Sequence, residues 1–255
     1  MINYYGADPD FSLAGKTAII TGGAAGIGLA TAEFFSKKGV NLVIADLNDK
    51  ADAVAKSLGA HNIGITGDVC DTLFRTLVIN KTAESFGGMD ILVNSAGIGA
   101  LDKAEAISED MWDRTMEVNL KASFMMAQLF GAYLIREGKP GSIVNIASQA
   151  GVIALDRHVA YCASKAGVIS MTQVLAMEWG KYGIRVNAVS PTVVLTDLGR
   201  KAWDGPAGDA FKKEMPSGRF AEPDEIAGAI AFLCSGGAAM ITGHNLLIDG
   251  GYTIR

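Results

Sequence analysis

Short, unbroken apolar runs separated by longer amphipathic stretches dominate the chain from residue 16 onward. This alternation restricts the fold more than any other feature. Residues 16–21 (KTAIIT), 40–45 (VNLVIA), 61–66, 90–94 (DILVN), 141–147 (GSIVNIA), 184–189 and 245–248 read as strands. The runs are continuous rather than alternating in polarity, as expected of strands buried on both faces of a parallel sheet. Residues 27–38, 49–58, 72–86, 109–136, 159–182 and 223–234 read as the helices between them, with Gly39 closing the first in a left-handed turn. Such alternation specifies βαβ units, so the expected fold class is α/β, with about seven parallel strands and helices on both faces. No linker divides the chain, and residues 1–255 are expected to form a single doubly wound domain. Only 192–221 breaks the rhythm. Gly199, Gly205, Pro206, Gly208, Pro216 and Gly218 crowd it, and it reads as a mobile substrate flap with a short helix at 209–214.

Composition removes several functional classes. Apolar residues make up 49% of the 255 and charged residues 19%, a balance that supports a packed core rather than disorder. A net charge of −5 lacks the basic footprint of a nucleic-acid binder and gives no attraction to anionic membranes. No apolar run approaches the ~20 residues of a membrane span. Residues 1–12 lack the basic start of a secretion signal, so a cytoplasmic location is expected. Cys70, Cys162 and Cys234 are far apart and form no CxxC pair, which reads as reduced thiols rather than a disulfide framework or a zinc site.

Thr21-Gly22-Gly23-Ala24-Ala25-Gly26-Ile27-Gly28 lies between the first strand and the first helix. Glycines there let the backbone approach a diphosphate, and a helix N-terminus supplies N–H donors and the positive end of its dipole. With a strand before and a helix and second strand after, this is the context of a Rossmann-type dinucleotide site. Gly22, Ala25, Gly26, Ile27 and Gly28 are the expected phosphate-side contacts. The second strand leads into Asp46-Leu47, and Asp46 lies 18 residues after Gly28. A carboxylate at that point accepts from ribose hydroxyls and repels a 2′-phosphate, which favours NAD over NADP. Asp68-Val69 and Asn94-Ser95-Ala96-Gly97 follow the third and fourth strands, where a parallel sheet presents its ligand contacts. Asp68, Val69, Asn94, Ala96 and Gly97 therefore join the cofactor candidates.

Tyr161-Cys162-Ala163-Ser164-Lys165 opens a long helix. Tyr161 and Lys165, four residues apart, share one helix face. A phenol titrates near 10 and is a poor base at neutral pH, and a neighbouring ammonium is expected to lower that value. Ser148 follows the fifth strand, and its hydroxyl is placed to orient the same substrate oxygen.

From Gly15 to Gly251 the chain resembles the short-chain dehydrogenase/reductase family. The resemblance rests on the glycine loop, Asn94-Ser95-Ala96-Gly97, Asn119, Ser148, Tyr161-Cys162-Ala163-Ser164-Lys165 and Asn187-Ala188-Val189-Ser190-Pro191. It implies that Tyr161 is the general acid/base and that Ser148 holds the substrate oxygen. Lys165 would lower the Tyr161 pKa and, with Tyr161, contact the cofactor at the nicotinamide ribose. Asn119 would hold the long helix open around a water that feeds a proton relay. The stretch 184–196 would meet the nicotinamide carboxamide through Pro191, Val194 and Thr196. The resemblance further implies a homotetramer built through the two long helices and the last strand. Some relatives carry a structural magnesium near the C-terminus, and no catalytic metal is expected.

The chain departs from the family pattern in two places. Ser95 stands where a second Asn is usual, and Pro191-Thr192 where Pro-Gly is usual. The second departure resembles xylulose reductases and polyol dehydrogenases, and there Gln149 and His158 would line the substrate pocket with Ser148 and Tyr161. A pocket for several hydroxyls needs polar groups in place, because unpaired buried ones are costly. The expected activity is NAD-dependent interconversion of a secondary alcohol of a small polyol or sugar alcohol with its ketone. The alternatives are a 3-oxoacyl thioester reductase or another small-ketone or diketone reductase of the same family, and a non-catalytic nucleotide-binding protein.

Overall fold

The computed structural model describes residues 11–255. The expectation about a secretion signal therefore falls, up to residue 10, outside the described residues. Seven strands form one parallel sheet: β1 (Thr17–Thr21), β2 (Asn41–Asp46), β3 (Ile63–Thr66), β4 (Ile91–Asn94), β5 (Gly141–Ile146), β6 (Ile184–Pro191) and β7 (Asn245–Ile248). Their order is β3-β2-β1-β4-β5-β6-β7, so the winding reverses between β1 and β4. Register runs from Thr17↔Asn41 on one side of β1 and from Ala18↔Ile91 on the other. Open parallel sheets take ligands at the carboxyl edge beside such a reversal. The glycine loop leaves β1 there, and Asn94–Gly97 leaves β4.

Helices cover both faces. α1 (Gly26–Lys37), α2 (Ala51–Ser57) and α9 (Pro223–Cys234) pack over Ile20, Leu42, Ile44, Val144 and Val189. α3 (Thr72–Phe86), α5 (Ala122–Glu137) and α6 (Val159–Trp179) pack over Ile19, Val43, Leu92, Ile143 and Val186. Alternate residues of each central strand thus feed two opposite cores, which is why the runs are apolar throughout. Among the described residues, no helix is long and apolar enough to cross a membrane.

Two expectations need correction. The stretch expected as one helix over 109–136 is α4 (Glu109–Met116), a π turn at Glu117–Lys121, and α5. Insertions of this kind recur at functional sites, and this one carries Asn119. The 192–221 segment is also more ordered than its glycines implied. It holds α7 (Asp197–Trp203), which the sequence reading missed, and α8 (Pro206–Glu214), longer than expected. A Cβ on Gly199 would collide with the Val194 carbonyl, and one on Gly208 with the Trp203 carbonyl. These glycines serve close packing. Thr196 caps α7 by accepting from the Gly199 N–H at 3.1 Å.

Candidate active site

The glycine loop is shaped for a diphosphate. Gly22 has φ +64°, and a Cβ there would lie 2.8 Å from the Ala96 backbone. A Cβ on Gly28 would strike the Gly22 carbonyl, and Gly26, with φ +55°, adopts a backbone that side chains disfavour. Ala25 sits at the N-cap of α1 in extended conformation, with no side-chain cap, and the first turn of α1 contains no acid. Its leading N–H groups, Ile27 among them, are left for an outside acceptor. The Thr196 methyl faces Gly26, 3.5 Å from where a Cβ would stand, so the start of α7 covers the loop.

Asp46 ends β2. One carboxylate oxygen accepts from the Ala24 N–H at 2.9 Å and the other from the Asn48 N–H at 2.9 Å. It therefore braces the glycine loop, and each oxygen keeps a second lone pair for a ribose hydroxyl. Leu47 beside it is 68% exposed. Asp68 accepts from the Cys70 N–H and is paired with Arg114 at 3.1 Å, and these contacts hold its carboxyl below the usual carboxylate range. The Val69 carbonyl accepts from buried Arg75 at 2.7 Å. Neither arginine was among the expected site residues, since their partners meet them only in the fold.

The Asn94 side-chain amide donates to Asn145 at 2.9 Å and to the Ser123 carbonyl at 3.1 Å, which supports β4. Ala96 and Ser95 donate their N–H groups to the Thr21 hydroxyl, which ties the turn after β4 to the end of β1. Val194 is likewise a core side chain, bridged to Ala221 through the backbone. Pro191 ends β6 and is buried.

The fold brings Ser148, Tyr161, Lys165 and Asn119 together at the edge where β5 meets α6. Lys165 is buried, and its Nζ donates to the Ile146 carbonyl at 2.7 Å and lies 5.6 Å from the Tyr161 ring centre. Burial alone pushes its pKa down to about 8. Burial pushes the Tyr161 phenol up from its ordinary value, while a hydrogen bond with Ser148 pulls the other way. Desolvation of the phenolate is the largest influence on its pKa.

Asn119 accepts from the Ile98 N–H at 2.8 Å and donates to the Ile98 carbonyl at 2.9 Å and the Ser164 hydroxyl at 3.1 Å. Ser164 donates to the Tyr161 carbonyl at 2.8 Å. Asn119 therefore fastens the turn after Gly97 to the helix that carries Tyr161. Gly97 fills the gap, since a Cβ there would lie 3.3 Å from Asn119 Oδ1 and 3.6 Å from Lys165 Nζ. Ser164 sat inside the recognised motif without an assigned task.

His158 precedes α6, packs edge-on against Tyr161 at 6.0 Å between ring centres, and hydrogen-bonds the Asp156 carbonyl through Nδ1. It also lines a cavity of ≈ 520 Å³ with Lys103, Glu105, Arg157 and Cys162. Gln149 is buried in the tight turn Gln149–Gly151 that follows Ser148. Among the described residues no group of three or more His, Cys, Asp or Glu side chains converges as metal ligands.

A family model described as enoyl-(acyl carrier protein) reductase matches residues 22–253. The chain is 50% identical to the NAD-dependent glycerol dehydrogenase of Listeria innocua, over 100% of both chains. It is 53% identical to the D-threitol dehydrogenase of Mycolicibacterium smegmatis, over 97% of this chain and 96% of that one. A short-chain type dehydrogenase/reductase from Mycobacterium marinum superposes with a TM-score of 0.90 at 30% identity, covering 96% of this chain and 98% of that one. The chain belongs to the short-chain dehydrogenase/reductase family.

In this short-chain dehydrogenase/reductase the 192–221 segment is anchored by the end of the chain. Phe211 stacks on Tyr252 at 4.4 Å and 7°. Trp203 packs on Phe211 and Phe220 and belongs to the same aromatic cluster. Arg255 lies over Tyr252 at 3.9 Å and pairs with Glu214 at 2.8 Å. The Ser217 N–H donates to the Gly250 carbonyl. Tyr252→Ala is expected to cost about 3 kcal/mol of stability, as for other buried aromatic truncations. It is expected to raise the substrate KM as well, and both effects are read by urea unfolding and initial rates.

Proposed function

We propose that the protein is an NAD-dependent dehydrogenase that oxidises a secondary hydroxyl of a small polyol to the ketone and also runs the reverse reaction. The observation that carries this reading is the meeting of Ser148, Tyr161 and Lys165 at the sheet edge beside an uncapped glycine cradle. The glycerol and threitol dehydrogenases at 50% and 53% identity support a polyol as substrate. Residues 1–255 act as one catalytic unit in this reading.

The residues present fit a dinucleotide. Gly22, Ala25, Gly26, Ile27 and Gly28 would hold its diphosphate, Asp46 and Leu47 the adenosine ribose, and Asp68 and Val69 the adenine. Ala96 and Gly97 would border it, with Pro191, Val194 and Thr196 on the nicotinamide side. Asp46 favours NAD over NADP by charge, and no Lys or Arg lies in the glycine loop to offset it. When bound, NAD supplies the ring that takes the hydride from the carbinol carbon. Ser148 orients the substrate hydroxyl, and Tyr161 removes its proton at Oη. Lys165 places positive charge beside the phenolate as it forms, and Asn119 keeps the Tyr161 helix in register. Gln149 and His158 meet the remaining hydroxyls.

The working assembly in this proposal is a homotetramer. β7 is a sheet edge with Leu247 exposed on it, and α6 leaves Val174 and Met177 exposed. Uncovered edges and apolar patches of this kind favour subunit contact.

The pH dependence follows from the phenol and the ammonium. The Tyr161 pKa stands above its ordinary 10 and that of Lys165 near 8. Oxidation needs the phenolate, so its rate is expected to rise about tenfold per pH unit below pH 8. Above pH 8 the rise flattens as Lys165 loses its proton. Reduction needs the protonated phenol, which persists up to about pH 10, so its rate is expected to stay nearly flat over that range. Initial rates in both directions over pH 6–10 check this.

Parallel assays test the whole reading. NADH formation from glycerol, threitol, xylitol and related polyols is expected, with little oxidation of NADH by a 3-oxoacyl thioester. Silence on every polyol with rapid thioester or diketone reduction would replace it.

A further inference from the structure

We propose that Arg75 is a positioning residue for the base of the cofactor: its grip on the Val69 carbonyl sets the loop after β3 for adenine. The inference rests on the placement of adenine against Asp68 and Val69 proposed above and deepens it. Arg75 stands in the first turn of α3 and is 4% exposed. Its Nη1 donates to the Val69 carbonyl at 2.7 Å and its Nη2 to the Thr72 hydroxyl at 2.8 Å. Among the described residues it forms no ion pair, and its buried Nε has no hydrogen-bond partner.

An arginine at this point is a poor choice for stability. Burial strips a cation of water, and the positive end of the α3 dipole lies beside it. The first turn of α3 holds no acid, and the carboxylate of Asp71 at the N-cap accepts from the Leu73 N–H at 2.9 Å. Local rules broken without a structural gain mark functional positions. What Arg75 does secure is one peptide group. The Val69–Cys70 peptide is gripped at both ends, its carbonyl by Arg75 and its N–H by Asp68 Oδ1 at 2.8 Å. Arg75 therefore fixes the group that orients the Asp68 carboxylate.

The same loop is tied to the ribose side of the cleft, since the Gly67 N–H donates to the Asp46 carbonyl at 2.8 Å. Asp68 Oδ2 pairs with Arg114 at 3.1 Å. The N–H of Val69, a half-buried residue, makes no hydrogen bond among the described residues. The loop thus offers an acceptor, the Asp68 carboxylate, next to a free donor, the Val69 N–H. Adenine presents the complement, an amino donor beside a ring-nitrogen acceptor. In hypoxanthine a carbonyl replaces the amino group and meets the Asp68 carboxylate as acceptor against acceptor.

Fluorescence titrations with NADH and with reduced nicotinamide hypoxanthine dinucleotide test the assignment without turnover. The unmodified protein is expected to bind NADH at least about tenfold more tightly than the hypoxanthine analogue. Arg75→Met should weaken NADH about tenfold, leave the analogue within about twofold, and leave the urea midpoint equal or higher. Thr72→Val, at an exposed position, removes the second anchor of the guanidinium and should lower the same affinity ratio about threefold. If Arg75→Met does not fold, Thr72→Val decides on that ratio. Equal weakening of both dinucleotides, or an unchanged ratio whatever the midpoint, would overturn the inference and leave the adenine placement standing. An unmodified protein that binds both dinucleotides equally would remove the placement and the inference together.

Discussion

Tyr161→Phe is expected to lower kcat for polyol oxidation by at least about a thousandfold, the upper range for losing a general acid/base. The substitution removes one oxygen and leaves the ring, its edge-on contact with His158 and its place on α6 intact. NAD affinity should therefore stay within a few-fold, and the unfolding midpoint should not fall. Desolvation raises the phenol's pKa, and a solvent water is a far weaker base than the phenolate it would have to replace. Ser148 hydrogen-bonds the phenol but has no means of taking a proton at neutral pH. Ser148→Ala should then cost less than Tyr161→Phe. Measured by single-turnover NADH formation, a Tyr161→Phe enzyme within tenfold of the original would show that the proton leaves by another route.

Asp46→Ala should produce the second-largest change, in cofactor choice. Loss of a charged hydrogen-bonding group at the ribose is expected to raise the NAD KM by about tenfold to a hundredfold. Removing the carboxylate also removes the repulsion felt by a 2′-phosphate, so kcat/KM with NADP should rise. The NAD preference should collapse by more than a hundredfold overall. Asp46 also receives the Ala24 and Asn48 N–H groups, so part of the NAD loss will reflect a loosened glycine loop. Asp46→Asn separates the two effects. Its amide oxygen keeps one of those bonds while the charge is gone, so the NADP gain should persist with a smaller NAD loss. Equal kcat/KM ratios in all three enzymes would remove Asp46 from cofactor selection.

Much of this arrangement was readable in the residues, for identifiable reasons. α3 matched to the residue because Asp71 caps its start and Gly87 ends it with a left-handed turn. α9 matched because Pro223 opens it in a first-turn position where proline fits. The π turn at Glu117–Lys121 stayed hidden because shifting the backbone hydrogen bonds of one turn by a residue leaves no compositional mark. α7 was missed because glycine within a helix reads as flexibility, whereas Gly199 is there to let the helix lie on Val194. Lys165 shows the limit for chemistry. Spacing put it on the Tyr161 face, but only the fold shows it bound to the Ile146 carbonyl and desolvated. Asn94 shows the same limit, since its place at the end of β4 gives no warning that the side chain turns inward to Asn145.

The most direct test of the account is the fate of deuterium placed on the carbinol carbon. The purified chain would be mixed with NAD and glycerol deuterated at C2, and the reduced cofactor analysed by mass spectrometry. The account predicts one deuterium in each NADH formed, a slowed rate, and dihydroxyacetone as product. NADH that carries no label while product accumulates, or no NADH from any deuterated secondary polyol, would contradict it.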